Sequence, residues 1–259
     1  MSKRGQVTLF IVLGVIILVI TSLLFMVKLY SDGEKSEMEA EKVQNSNKIS
    51  VSVQNYIESC LENTGEDAII FIGNHGGYYN LPLLSDTFFL MPYYLYDGKN
   101  NLILKEELGN QISDFINNEL FFCLQNFVVF EEQGYDIQQE DVDTLTTIIK
   151  DKVIFNVNLP VKLTKGDSVK NIVKFTKEID SRLYTIYNAI KTLLDEHENN
   201  PSSICISCAT RLATENDLRV ELSFIEEGEI MFTVIDEKVK INNKPFEYSF
   251  INRYNFKDE

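Results

Sequence analysis

The sequence predicts an α+β protein: an N-terminal transmembrane helix extended into a stalk helix, then an ectodomain of antiparallel β-sheet and packed helices. Three observations carry this. Gly5 to Val27 is a run of twenty-three residues without a charge. Val153, Phe155, Val157, Leu159, Val161 and Leu163 alternate without a break, the period-two pattern of a half-buried strand. Other segments carry apolar residues at three- and four-residue spacing, the stripe of a core-facing helix.

As a helix the uncharged run is about 34 Å long, against a hydrocarbon core of about 30 Å. It is too long for the apolar region of a cleavable secretory signal, and Leu23-Leu24-Phe25-Met26-Val27 offers no small-residue cleavage site. It is Val/Ile/Leu-rich on every side, unlike the one-sided stripe of a helix in a soluble fold. Lys3 and Arg4 precede it, so the positive-inside rule puts the N-terminus in the cytoplasm and the rest outside. The bilayer is thus an expected partner. The expected divisions are a leader and transmembrane helix over 1–30, a helical stalk over 31–52 and an extracytoplasmic domain over 53–259, with a subdivision point near 135–140.

The junction Lys3-Arg4-Gly5-Gln6-Val7-Thr8-Leu9-Phe10 resembles the class III signal peptide of archaeal type IV pilin-like surface proteins. The resemblance covers about residues 3 to 28. It implies a processing cut between Gly5 and Gln6 that removes the basic leader and keeps the helix, and it implies self-assembly or a surface protein partner. Many such subunits carry a glutamate at the fifth residue after the cut, where this chain has Phe10. An ordinary uncleaved signal anchor is the alternative.

From Ser31 onward the chain holds 21 basic residues against all 39 acidic ones. An anionic surface of this kind repels phosphate backbones, so no nucleic-acid partner is expected. It is long enough for a real core.

The elements follow in order. Ser31 to Ser50 is polar, with good helix formers and no breaker after Gly33. Val53, Tyr56, Ile57, Cys60 and Leu61 turn that helix toward a core. A second apolar piece, Ala68 to Ile72, stops at Gly73-Asn74-His75-Gly76-Gly77. Phe88 to Tyr96 reads as a strand, with a turn at Asp97-Gly98-Lys99-Asn100. Glu106 to Phe127 reads as a helix presenting Ile112, Phe115, Ile116, Leu120, Cys123 and Leu124 on one face. The alternating strand 153–163 turns at Lys165-Gly166-Asp167, and Val169, Val173 and Phe175 continue the alternation on its return. Arg182 to His197 is helical and is broken at Asn199-Asn200-Pro201. A last antiparallel set spans Leu218 to Ile225, Ile230 to Ile235 and Phe246 to Tyr254. Strands mixed with helices, without βαβ alternation, give the α+β class.

Four cysteines in an exported domain point to disulfides, in any of three pairings. Cys60 and Cys123 each sit on the apolar face of an expected helix and open similar tetrads, Cys60-Leu61-Glu62-Asn63 and Cys123-Leu124-Gln125-Asn126. Their bridge is the preferred pairing, with two buried free thiols as the alternative. Cys205-Ile206-Ser207-Cys208 has three readings: a local structural bridge, a redox pair, or half a zinc site. The redox reading gains from Pro201-Ser202-Ser203, which would cap a helix starting near Ile204, since a helix N-terminus favours a thiolate. Zinc would need Cys60, Cys123 or carboxylates to complete it, because the only histidines are His75 and His197.

His75 reads as a turn residue beside glycines. Glu131, Glu132, Asp136, Glu140, Asp141 and Asp143 lack the spacing of a calcium loop and read as a solvated loop. The tyrosines between Tyr78 and Tyr96 are read as core, with a partner surface as the alternative. No phosphate loop, nucleophile elbow or metalloprotease motif occurs, and no catalytic residue, metal or cofactor is assigned. The functional expectation is surface structure, adhesion or partner binding. The rival is a membrane-tethered thiol–disulfide oxidoreductase using Cys205 and Cys208.

Overall fold

The structure is a computed structural model that describes Thr21 and residues 49–199 and 203–255. Almost all of the expected leader, membrane helix and stalk, with Gly5, Gln6 and Phe10, lies outside the described residues. Among those described, no helix is long and apolar enough to cross a membrane. Internal contacts divide the chain into Met1–Ser52 and a second unit, Val53–Glu259, and the α+β fold belongs to the second.

Helix α1 (residues 49–74) joins the two apolar pieces expected separately. Val53, Ile57, Leu61, Ala68, Ile69 and Ile72 are all fully buried along it, and the single Gly65 between the two pieces weakens the helix without ending it. It ends in a Schellman turn. Gly77 N–H donates to the Ile72 carbonyl at 2.7 Å and Gly76 N–H to Gly73 at 3.3 Å, with Gly76 at φ +56°, a conformation that favours glycine.

The first sheet is mixed, where an antiparallel sheet was expected. Strands β1 (Ser85–Asp86), β2 (Met91–Tyr96) and β3 (Lys99–Asn100) come early in the chain. Strands β8 (Arg219–Glu226), β9 (Glu229–Ile241) and β10 (Lys244–Arg253) come last. The order is β1-β2-β10-β9-β8, with β3 also on β2. The β2–β10 pair is parallel and every other pairing is antiparallel. Parallel strands need a long crossover, and the whole chain from β3 to β9 separates β2 from β10. Their register shifts between Ile251 and Asn252, and there the Asn252 side-chain oxygen accepts the Leu95 N–H at 3.1 Å, so the irregular step leaves no orphan donor. The β9–β10 turn is Asn242-Asn243, both at positive φ, a two-residue hairpin connection that asparagine tolerates. Phe88 to Leu90 form a turn ahead of β2.

The second sheet comprises β4 (Asp136–Gln139), β5 (Asp143–Ile149), β6 (Lys152–Lys165) and β7 (Ser168–Asp180). All six alternating residues of β6 are buried. β7 pairs along one edge of β6, while β5 and β4 lie end to end along the other, opposite Lys152–Asn158 and Val161–Thr164. At the junction Pro160 gives its carbonyl to Glu140 N–H and β6 bulges, the kind of position where a strand tolerates proline. The bulge corrects the reading of β7. Beyond it Val161 and Leu163 face Ile172 and Lys170, so Val169 and Val173 are exposed rather than core. Strands β4 and β5 also correct the expected acidic loop, since Ile137, Thr144 and Ile148 point inward and are buried.

Helix α2 (Lys105–Leu124) covers the free edge of β5. Ser113 Oγ accepts the Thr146 N–H at 3.1 Å, and Gly109 lets the helix pass close to the Thr146 carbonyl. The edge is thereby blunted against foreign strands. The helix stops at Leu124, short of the expected Phe127, because Gln125, Asn126 and Phe127 are left-handed at φ 45°, 53° and 58°. A 3-10 turn, Gln125–Phe127, and a short helix α3 (Val128–Glu131) follow. Tyr56 on α1 compensates the break: its hydroxyl donates to the freed carbonyls of Cys123 and Leu124 at 3.0 and 3.2 Å, and its ring packs edge-on against Phe130.

Helices α4 (Leu183–Glu198) and α5 (Ile206–Glu215) pack on each other. Helix α4 also touches β2 and β3 of one sheet and β5 and β6 of the other. Arg182, just before α4, pairs with fully buried Asp236 of β9 at 2.8 Å and donates to the Asn216 carbonyl at the end of α5.

Two glycines of α1 make room for both sheets. A Cβ on Gly65 would lie 2.4 Å from the Phe155 ring, and one on Gly73 would lie 2.4 Å from the Glu247 carbonyl oxygen. The second obstacle is backbone and cannot rotate away. Gly73→Ala is therefore expected to destabilise the fold by about 1–3 kcal/mol, read as a lowered urea midpoint with an unchanged slope.

Candidate functional site

The cysteines pair as Cys60–Cys123 and Cys205–Cys208, and the two bridges have different settings. Cys60 is buried on α1 and joins it to the last turn of α2 across 63 residues of sequence. By chain entropy a loop of that length stabilises by about 4 kcal/mol, while the three-residue separation of Cys205–Cys208 gives only about 2. The first is a staple between helices. The second sits in a half-exposed corner where α4 ends and α5 begins.

That corner is built from both helix ends. Cys205 is the N-cap of α5, and its Sγ accepts the Cys208 N–H at 3.2 Å. The expected cap, Pro201-Ser202-Ser203, lies one turn too early, and Pro201 and Ser202 fall outside the described residues. Ile206 and Ser207 stand between the sulfurs on the exposed side, Ile206 at 55 % exposure. Glu196, near the end of α4, brings a carboxylate oxygen within 4.8 Å of both sulfurs. Its Oε1 also accepts from Arg211 Nη2 at 2.5 Å, which tempers its charge.

His197 forms the floor and is 0 % exposed. Tyr254 Oη lies 2.9 Å from its Nδ1. Asn252 Nδ2 lies 3.2 Å from that hydroxyl and 3.4 Å from the same ring nitrogen. With its oxygen accepting the Leu95 N–H, Asn252 faces the ring with Nδ2, which can only donate, so the network assigns Nδ1 as acceptor and the proton to Nε2. Nε2 has no hydrogen-bond partner of ordinary geometry, and its interaction with the Cys205 backbone is a loose one. Burial lowers the His197 pKa below 6.5, outweighing that backbone interaction and the Glu196 charge, which both act to raise it. Burial likewise raises the Tyr254 pKa. Glu196, His197, Asn199, Cys205, Ile206 and Cys208 line a cleft of about 600 Å³.

Among the described residues, Glu196, Cys205 and Cys208 are the one group whose donor atoms converge as metal ligands would. A carboxylate is thus what the fold brings to the C-x-x-C, while Cys60 and Cys123 are occupied elsewhere. Bonded to each other, however, the two sulfurs are not thiolate ligands. His75 stacks on Phe71 at 4.0 Å and bonds its carbonyl through Nδ1, holding the turn after α1. The aromatic stretch is divided: Tyr94 is fully buried and bonds Tyr248 and the Gly76 carbonyl, whereas Phe88 is 84 % exposed. Gly5 and Gln6 lie outside the described residues. Sequence reading missed His197, Asn252 and Tyr254 as a group, and more than fifty residues of chain separate the histidine from the other two.

No family model, curated protein or solved structure matches this chain.

Replacing Cys60 and Cys123 by serine is expected to cost about 2–5 kcal/mol, and replacing Cys205 and Cys208 about 2 at most, compared by denaturant titration of the two double variants. A second expectation concerns acid. The folded state holds His197 neutral, and the unfolded chain takes up its proton near the ordinary pKa. Stability is therefore lost as pH falls below 6.5, by up to about 1.4 kcal/mol per pH unit. Glu196 and Tyr254 are the titratable groups around the ring. The stability advantage of the wild type over His197→Gln should shrink between about pH 7.5 and 5.5, as measured by urea midpoints at each pH.

Proposed function

We propose that this chain is a membrane-tethered extracytoplasmic domain, anchored through the uncharged run that ends at Val27, whose work is contact with a surface protein partner or with further copies of itself. The observation that carries the reading is that all four cysteines of the chain are paired, an arrangement native to oxidising compartments. It occurs downstream of an uncharged run long enough to span a bilayer, with Lys3 and Arg4 on the near side. Exposed apolar side chains support contact as the mode of action. Phe88 and Leu83 precede β2, and Phe122 and Val129 flank the left-handed break after α2, the kind of surface that partners cover. In keeping with the resemblance to pilin-like subunits, the leader is removed between Gly5 and Gln6 and the apolar helix is kept.

Protease added to intact cells is expected to digest the domain beyond Lys28. Full protection until lysis would overturn the outward placement. Intact-mass measurement of the purified protein is expected to give Gln6 as the first residue. A chain beginning at Met1 or Ser2 would overturn processing and leave the tether standing.

A further inference from the structure

The corner at Cys205–Cys208 has features that a local staple does not need. Its bridge encloses only two residues, and both are exposed. Cys205 Sγ already receives a backbone N–H and lies at the positive end of a ten-residue helix, a setting that favours negative charge on that sulfur. The buried His197 lines the same cleft, with its Nδ1 edge held by Tyr254. Its Nε2 has no hydrogen-bond partner of ordinary geometry, only the loose interaction with the Cys205 backbone. A buried donor so weakly satisfied is costly, and negative charge forming on Cys205 at the same cleft would be favoured by it.

We propose that Cys205–Cys208 is a thiol–disulfide exchange site that oxidises pairs of thiols, carried by a protein or peptide, in the cleft above His197. A substrate thiolate attacks Cys208 Sγ. The Cys205–Cys208 bond breaks, its electron pair leaves on Cys205 Sγ, and a mixed disulfide joins the substrate to Cys208. The substrate's second thiolate then attacks the substrate sulfur of that mixed disulfide, and the electron pair leaves on Cys208 Sγ. The substrate has lost two electrons and formed its own disulfide. Cys205 and Cys208 have become a dithiol, taking up the two protons that the substrate thiols released. Glu196 works against the thiolate through its charge, and Arg211 weakens that opposition. The activity goes beyond tethering and does not depend on it, since it is measured on purified protein.

The full-length chain in detergent is incubated with a short synthetic peptide carrying two free cysteines, then alkylated and mapped by mass spectrometry. The expected result is an oxidised peptide and new thiols at Cys205 and Cys208, with Cys60–Cys123 still bonded. A peptide that stays reduced overturns the proposal, as do thiols appearing equally at all four positions. A second measurement separates exchange chemistry from mere exposure. In Cys208→Ser the lone Cys205 is titrated by thiolate absorbance, and is expected below the ordinary value of about 8.5. Adding Glu196→Gln, a change at a half-buried surface position, should move that titration lower, and His197→Gln should move it higher. A Cys205 that titrates in the ordinary range, unmoved by Glu196→Gln, overturns the assignment.

Discussion

Helix α1 meets both sheets on bare backbone, and the rest of the unit depends on that close approach. Gly65 lies against Phe155 and Ile179 of the second sheet, and Gly73 lies against Phe246 and the Glu247 carbonyl of the first. Eight residues separate the two glycines, about 12 Å along the axis and about 80° around it. Each sheet therefore takes its own face of one rod. A side chain at either position would push a whole sheet away. Tyr56 and Cys60 occupy the same helix nearer its start and hold the broken end of α2. α2 in turn closes the edge of β5 through Ser113.

The parts of this fold that obey a strict local period were readable in the sequence. Strand β6 is the clearest case, because a period of two over six apolar residues has one consistent solution. Helix α4 was equally plain from Leu183, Ile186, Tyr187, Ile190 and Leu194, all buried. What failed depended on partners distant in sequence. Val169 and Val173 continue the right period, but the bulge at Pro160 shifts what lies opposite them. Strand β4 offers one apolar residue, Ile137, and takes its order from pairing with β6. The broken end of α2 is satisfied by Tyr56, whose hydroxyl donates to the Cys123 carbonyl from 67 residues away. The Asn242-Asn243 turn was a local signal that went unread.

The corner at α5 shows the same division. Its C-x-x-C is visible in any reading, whereas its character comes from groups the fold imports. Glu196 arrives in the last turn of α4, and Asn252 and Tyr254 arrive at the end of the last strand. The histidine between them combines full burial with a half-satisfied ring. Hydrogen-bonded on one edge and only loosely held on the other, it is kept in one tautomer by the strand behind it. The two disulfides thus diverge although both are closed. One is enclosed among helices, and the other borders a cleft with acid, imidazole and helix terminus around it.

The position of the Cys60–Cys123 bridge has a mechanical consequence. If the domain hangs from its N-terminal side, tension enters at the start of α1 and meets a covalent link seven residues beyond Val53. From there the load passes directly into the last turn of α2. The chain between the two cysteines, which includes Gly65, Gly73 and strands β1 to β3, cannot be drawn out while the bridge holds. A pull would fray the first turns of α1 and then stall, leaving the seat of both sheets outside the line of force.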